Sequence, residues 1–261
     1  LILDDTLNMV QSVQLQGGLS PLDQHEFNVV DNGKSALIVI YRTQQADLSV
    51  DGIGSGLGWI VNCWFQEIQL DTNKLLFEWG TLDHVAPSYS SVVPNSTDVS
   101  GTGFDPTSPW DYFHMNAADK DAAGDYLVSS RHTSTIYKIS GKNGAILWQL
   151  SGTNGSTSYS LGGGLNFSYQ HDARFLYQNA TTTILTVFDN AADGFHTQSA
   201  LASSGLLTAI DHTTETSTLL QRYLLTDSIV STSQGNVQRL DPNHWETSNV
   251  YCGWGQNAYI S

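Results

Sequence analysis

The sequence predicts an all-β fold, a β-propeller of four-stranded antiparallel blades, and three observations carry that prediction. Helical periodicity is almost absent. Short runs rich in Val, Ile, Leu and aromatic residues recur between clusters of Asn, Asp, Gly and Ser, the pattern of short strands and tight turns. A hairpin unit also repeats along the chain. The apolar runs are strand-sized: Ser35 to Tyr41, Phe65 to Leu70, Leu75 to Trp79, Tyr126 to Ser130, Ile136 to Ile139, Ile146 to Leu150 and Ile184 to Phe188.

The repeat is anchored by polar residues equidistant from a turn, which face each other across a hairpin. His25 and Arg42 flank the turn Asp31-Asn32-Gly33-Lys34, and His114 and Arg131 flank Lys120 to Asp125. His171 and Asn190 flank Asn179-Ala180-Thr181, and a degenerate copy runs from Gln234 through Asp241-Pro242-Asn243 to Cys252 and Gly253. A second hairpin follows two of these: QEIQLDTNKLLFEWG at Gln66 to Gly80 and IYKISGKNGAILWQLSG at Ile136 to Gly152, each ending in a strand that carries Trp (Trp79, Trp148). LLTAIDHTTETSTLLQRY at Leu206 to Tyr223 has the same form without the Trp. Two hairpins make a four-stranded blade, and first strands of successive blades line a common channel.

The expected blades are 25–80, 110–152 and 169–224, with a partial one at 233–261 and a remnant at 1–24. The stretch 87–109, rich in Ser, Thr, Gly and Pro, reads as a loop insertion. About four blades in 261 residues leave the ring open, so a single propeller domain of which this chain is an incomplete internal portion is expected.

Composition narrows the function classes. With 25 acidic against 10 basic residues and a net charge of −15, no basic patch is available for nucleic acid or an anionic membrane surface. No apolar run approaches the ~20 residues of a membrane span. A hydrophobic content of 40% separates the chain from acidic disordered sequences. Asn95, Asn154, Asn166 and Asn179 are N-glycan acceptors by pattern. Cys63 and Cys252 are either one long-range disulfide or two buried thiols. The chain begins at Leu1, consistent with a removed leader, and a secreted, extracellular setting is expected.

His25, His114 and His171 occupy one slot of the repeat, so the blade geometry would bring them to one channel mouth. Arg131 and Arg42 occupy the facing slot in two units. Imidazoles with a guanidinium suit an anion such as sulfate, phosphate or carboxylate, and imidazole serves as nucleophile, acid or base near neutral pH. Three imidazoles also suit zinc, but tight His-x-His or Glu-x-x-His spacing is absent and an adjacent Arg would repel the cation, so no metal is expected. No Walker loop, dinucleotide fingerprint or Gly-x-Ser-x-Gly elbow occurs, and no cofactor is expected; Gly162-Gly163-Gly164 reads as a flexible loop. His84, His132, His196, His212 and His244 read as solvated or structural, with His132 within reach of the channel. Asp111, Asp172 and Asp189 keep a glycoside-hydrolase pair open, and Trp110, Tyr112 and Trp254 are either aromatic walls or core.

These residues lie in stretches that resemble a family. PWDYFHMNAADKDAAGDYLVSSRHTSTIYKISGKNGAILWQLSG (Pro109 to Gly152), YQHDARF (Tyr169 to Phe175) and VFDNA (Val187 to Ala191) look like the arylsulfotransferase family, in particular its fungal branch. HEF at His25 to Phe27, FQEIQLDTNKLLFEW at Phe65 to Trp79, LDHV at Leu82 to Val85 and SQGNVQRL at Ser233 to Leu240 extend the resemblance over nearly the whole chain. It implies a six-bladed propeller and transfer of a sulfuryl group from an aryl sulfate donor to a phenolic acceptor, without a nucleotide sulfate. By motif it implies His171 as nucleophile, with His114, Arg131 and His25 as further catalytic residues. Asn190, Asn116, Trp110 and Tyr112 are the expected substrate-binding residues. A propeller module that binds glycans or anionic aromatic ligands, and a polysaccharide lyase or hydrolase using the same His/Arg cluster, remain the alternatives.

Overall fold

The computed structural model describes residues 1–49, 52–94, 100–153, 157–195, 197–257 and 259–261. It is all-β, 46% strand and 4% helix, with no sheet closed on itself. A short hairpin of β1 (Ile2–Leu3) and β2 (Met9–Gln11) leads the chain. A four-stranded antiparallel meander follows: β3 (Leu22–Val30), β4 (Ser35–Asp47), β5 (Leu57–Gln69) and β6 (Leu75–Gly80). A second comprises β7 (Met115–Lys120), β8 (Tyr126–Ser130), β9 (Thr135–Ile139) and β10 (Ile146–Ser151). β11 (Ser160–Gly162) precedes a third meander of β12 (His171–Gln178), β13 (Thr182–Asp189), β14 (Ser204–Asp211) and β15 (Thr216–Tyr223). β16 (Asn236–Arg239) and β17 (Val250–Gly253) form the last pair. Successive meanders of this kind are compatible with propeller blades.

Alternation along each strand explains why the apolar runs are continuous. In β4, Ala36 and Ile38 face a cluster shared with Ile2 and Leu15, while Leu37 and Val39 face the cluster shared with the second sheet. In β8, Tyr126 and Val128 point back to the first sheet and Leu127 forward to the third. Both faces of these sheets are therefore buried, and a strand with two buried faces has no polar side to show. Glu67 adds a polar clamp between the first two sheets, accepting from Ser35 Oγ and the Tyr126 hydroxyl at 2.5 Å each and from Lys120 Nζ at 2.9 Å.

Two expectations change here, for the aromatic pair and for Gly162, and the open alternative for the cysteines resolves to thiols. Trp110 and Tyr112 are fully buried in the aromatic core with Phe65 and Phe113, so they are core and not substrate walls. Cys63 and Cys252 are free, buried thiols in different clusters. Gly162 belongs to β11, which pairs in parallel with β15, rather than to a loop alone. The loop insertion is anchored at its end: the Trp59 N–H donates to Gly103 O and the Trp110 N–H to Trp59 O, each at 2.8 Å. Asn166 and Asn179 are exposed, whereas Asn95, Asn154 and His196 lie outside the described residues. No helix among the described residues is long and apolar enough to cross a membrane.

The Trp that ends the second hairpin of a repeat packs between sheets. Trp79 is 1% exposed, stacks on His84 and donates from Nε1 to Gly144 O at 3.0 Å in the turn between β9 and β10. Trp79→Ala is expected to cost about 3–5 kcal/mol, read as a lowered urea midpoint, because it opens a cavity and orphans that carbonyl.

Candidate functional site

The first strands of the successive sheets, β3, β7, β12 and β16, are neighbours in space. His25 lies in β3, His114 just before β7, His171 at the start of β12 and Gln234 just before β16. Residues up to 146 positions apart in the chain therefore meet. The ring centroids of His25 and His114 are 4.9 Å apart and edge-on, and those of His25 and His171 are 6.3 Å apart. One nitrogen of each of the three rings lies within 4.8 Å of one from each of the others.

Each ring is held at Nδ1. Asp23 Oδ1 accepts from the His25 backbone N–H at 2.8 Å and lies 2.5 Å from His25 Nδ1. Asp111 accepts from the His114 backbone N–H through Oδ1 at 3.0 Å, and its Oδ2 lies 2.5 Å from His114 Nδ1. In both cases a carboxylate two or three residues upstream fixes backbone and ring together. His114 adopts φ +54°, as do Tyr169, Asp172 and Gln234 at +53°, +53° and +60°. Left-handed conformations at non-glycine residues cost on the order of 1 kcal/mol each and mark places where the surroundings impose the backbone.

The third ring is held by an amide whose orientation is determined. Asn190 Nδ2 donates to Ser231 O at 2.7 Å and Gln234 O at 2.8 Å, so its Oδ1 must face His171 Nδ1, 2.7 Å away. An amide oxygen only accepts, so His171 carries its proton on Nδ1 and a lone pair on Nε2. The Gln234 backbone N–H points at that lone pair from 3.2 Å. Gly235 makes this approach possible: a Cβ there would lie 2.3 Å from the Phe188 ring.

Arg131 is buried beside the trio, and its backbone N–H pairs with His114 O at 3.0 Å. Its NH2 donates to Asp193 O at 3.0 Å and Thr232 O at 2.9 Å, and NH1 lies 2.7 Å from His132 Nε2. The guanidinium is thus a brace between sheets as well as a charge at the site. His132, fully buried, has its Nδ1 2.5 Å from Asp111 O and its ring 4.7 Å from that of His114. Arg42 does not reach the site. A bulge between Leu22 and Phe27 shifts the β3–β4 register, Arg42 pairs with Asn62 and is exposed, and Tyr41 stacks on His25 at 5.6 Å instead.

A cleft of about 340 Å³ opens over His25 and His171 and is lined also by Asn116, Arg174 and Gln234. Asn116 Nδ2 donates to Gln170 O at 2.7 Å, while its buried Oδ1 finds no donor among the described residues. Arg174 was not foreseen. It pairs with Glu26 at 2.7 Å and Asp172 at 2.6 Å; it lies three residues after His171, and the bulge between them in the β12–β13 register lets both line the cleft. Asp23 was missed for the same reason that it works, since it sits only two residues before its histidine. Asp189 is turned to Arg222 and to the backbone N–H groups of Ser168 and Ala191, away from any pairing with Asp111.

Burial sets the protonation states. It holds His171 well below the usual imidazole range, helped by the nearby charges of Arg131, His114 and His25 and opposed by the bond to Asn190. Burial followed by Arg131 and His25 does the same to His114. Burial also raises Asp111 above the ordinary carboxylate range. Asp23 is lowered: burial opposes ionisation, but the side-chain and backbone donors of His25 outweigh it. A neutral imidazole protonated at Nδ1 can act as a nucleophile through Nε2 once the Gln234 N–H gives way, and a neutral imidazole backed by a carboxylate can act as a base.

The family model described as Arylsulfotransferase (ASST) matches residues 1–261 of this chain. No curated protein matches it.

Burial pushes His132 down to about 3, reinforced by His114. The unfolded chain takes up that proton near pH 6.5 and the folded chain only near 3, so His132 contributes stability that is present above pH 6.5 and drains away as pH falls toward 3. The ring nitrogens of His132 are expected to keep neutral ¹⁵N shifts at pH 5; a titration midpoint near 6.5 contradicts this burial account.

Proposed function

The chain belongs to the arylsulfotransferase family, and from that membership and the geometry around His171 we propose that it moves a sulfuryl group from an aryl sulfate to a phenolic acceptor through a sulfohistidine. The observation that carries the proposal is the hydrogen bond from His171 Nδ1 to Asn190 Oδ1, which leaves the lone pair on Nε2 beside the cleft. In the first half-reaction Nε2 attacks sulfur, the N–S bond forms and the S–O bond to the aryl group breaks with its electron pair leaving on the phenolate. His25 hands over the proton that the phenolate takes up and recovers it through His114, whose ring lies 4.9 Å away, after the second half-reaction.

The sulfurylated ring keeps its Nδ1 proton and so becomes cationic, and the Asn190 carbonyl dipole stabilises that charge. In the second half-reaction His114 Nε2 removes the acceptor phenol's proton, the phenol oxygen attacks sulfur, and neutral His171 departs. Arg131 contributes positive charge beside an anion that an overall charge of −15 would otherwise repel. We read the successive meanders as propeller blades and the chain as resembling the fungal branch of the family, with the cleft at the channel mouth.

Release of nitrophenolate from 4-nitrophenyl sulfate is expected to depend on added phenol, and binding of a glycan with no release would favour the binding-module alternative. Incubation with donor alone should leave an acid-labile sulfuryl adduct on the chain that is absent from His171→Ala, whose transfer activity is expected to vanish with the fold intact. Asn190→Leu is expected to lower kcat about 10²-fold with little change in KM for the donor, because the ring loses its tautomer and aim while the cleft stays open.

A further inference from the structure

Metal-ligand spacing along the chain reads only near neighbours, whereas the folded protein assembles donors from three different sheets. His25, His114 and His171 present nitrogens within 4.8 Å of one another. Each has its Nδ1 bound to an oxygen: Asp23 at 2.5 Å, Asp111 at 2.5 Å and Asn190 at 2.7 Å. Metal-ligating histidines are held in this way, with one ring nitrogen anchored on a carboxylate or carbonyl so that the other is aimed and made more basic. We propose that these three imidazoles bind a transition-metal dication of the zinc class through Nε2, in competition with the anionic substrate.

Three observations support the fit. Tetrahedral zinc holds imidazole nitrogens about 3.3 Å apart, so the rings must close by roughly 1.5 Å at most. That movement falls on His25 and His114, whose side chains are 22% and 19% exposed. Charge is favourable as well. Arg131 opposes a cation, but Asp23 and Asp111 stand directly behind two of the ligands, and the Arg131 NH2 is turned to Asp193 O and Thr232 O. At His171 the ion replaces the Gln234 backbone N–H, a single 3.2 Å bond to Nε2; in the second cluster of donors, Asp111, His114 and His132, both nitrogens of His132 are engaged, Nε2 by Arg131 and Nδ1 by Asp111 O. Three imidazoles leave a fourth position open to water or to the cleft, which is the zinc pattern with an exchangeable site.

The metal occupies the Nε2 lone pair that attacks sulfur, so a bound ion is an inhibitor and not a cofactor. The binding claim stands on the donor set alone; the inhibition rests on the sulfuryl-transfer reading. Titration of the purified chain with Co²⁺ is expected to saturate at one equivalent with the intense visible bands of a tetrahedral site, and Zn²⁺ should displace them. His25→Gln and His171→Ala are each expected to remove the bands, Asp23→Asn to weaken binding about 10–100-fold, and His244→Ala, an exposed surface histidine, to change nothing. Thermal unfolding of each variant separates loss of ligands from loss of fold. Absence of saturable binding, or binding that survives both His25→Gln and His171→Ala, overturns the site. Zn²⁺ should raise the apparent KM for 4-nitrophenyl sulfate and leave kcat unchanged; intact binding with a fall in kcat alone overturns the competition. A chain that turns over no aryl sulfate still reports the metal through its cobalt spectrum, so the two readings fail separately.

Discussion

The burial of both faces of each meander is the constraint on which the rest depends. A sheet with apolar residues on alternate positions of both sides cannot stand alone in water, so each must be covered by its neighbours. Leu37, Val39 and Phe65 from the first sheet meet Tyr126 and Val128 from the second, and Leu127 and Ile136 of the second meet Leu185 and Val187 of the third. Stacking in chain order then sets the first strands side by side. His25, His114, His171 and Gln234 all sit at that edge, so the core creates the meeting point before any site-specific contact is made.

Within the meeting point, short-range chemistry fixes each ring. The Asp-x-His and Asp-x-x-His spacings let one carboxylate hold both a backbone N–H and Nδ1. The same spacing at Asp241 and His244 gives a 2.7 Å pair on an exposed turn, far from any cluster. The local motif makes the pair, and the stacked sheets make the site. Left-handed backbone at His114, Asp172 and Gln234 shows how strongly the surrounding structure overrides local preference there.

Much of this was legible in the chain. The repeat led to the shared slot of the three histidines, because hairpin symmetry and recurring turns survive in sequence, and Asn190 was placed opposite His171 by counting from the turn. Bulges were not legible: the irregular stretch between Leu22 and Phe27 holds three more residues than the β4 segment it faces, and Tyr41, not Arg42, lies beside His25. Trp110 and Tyr112 were open between wall and core, because aromatic type alone does not say which way a side chain turns. Arg174 was hidden by its partners, since its role depends on Glu26, 148 positions earlier in the chain.

The contact between Gln234 and His171 ties the His171 ring to the last strand pair. The amide N–H that covers Nε2 comes from the residue leading into β16, and Asn190, which sets the tautomer, is itself gripped by Gln234 O. One backbone unit thus both grips the amide that fixes the His171 tautomer and caps its Nε2. Access to His171 Nε2 is therefore tied to how firmly the lead into β16 is seated on Phe188, the residue paired with His171 across the β12–β13 ladder.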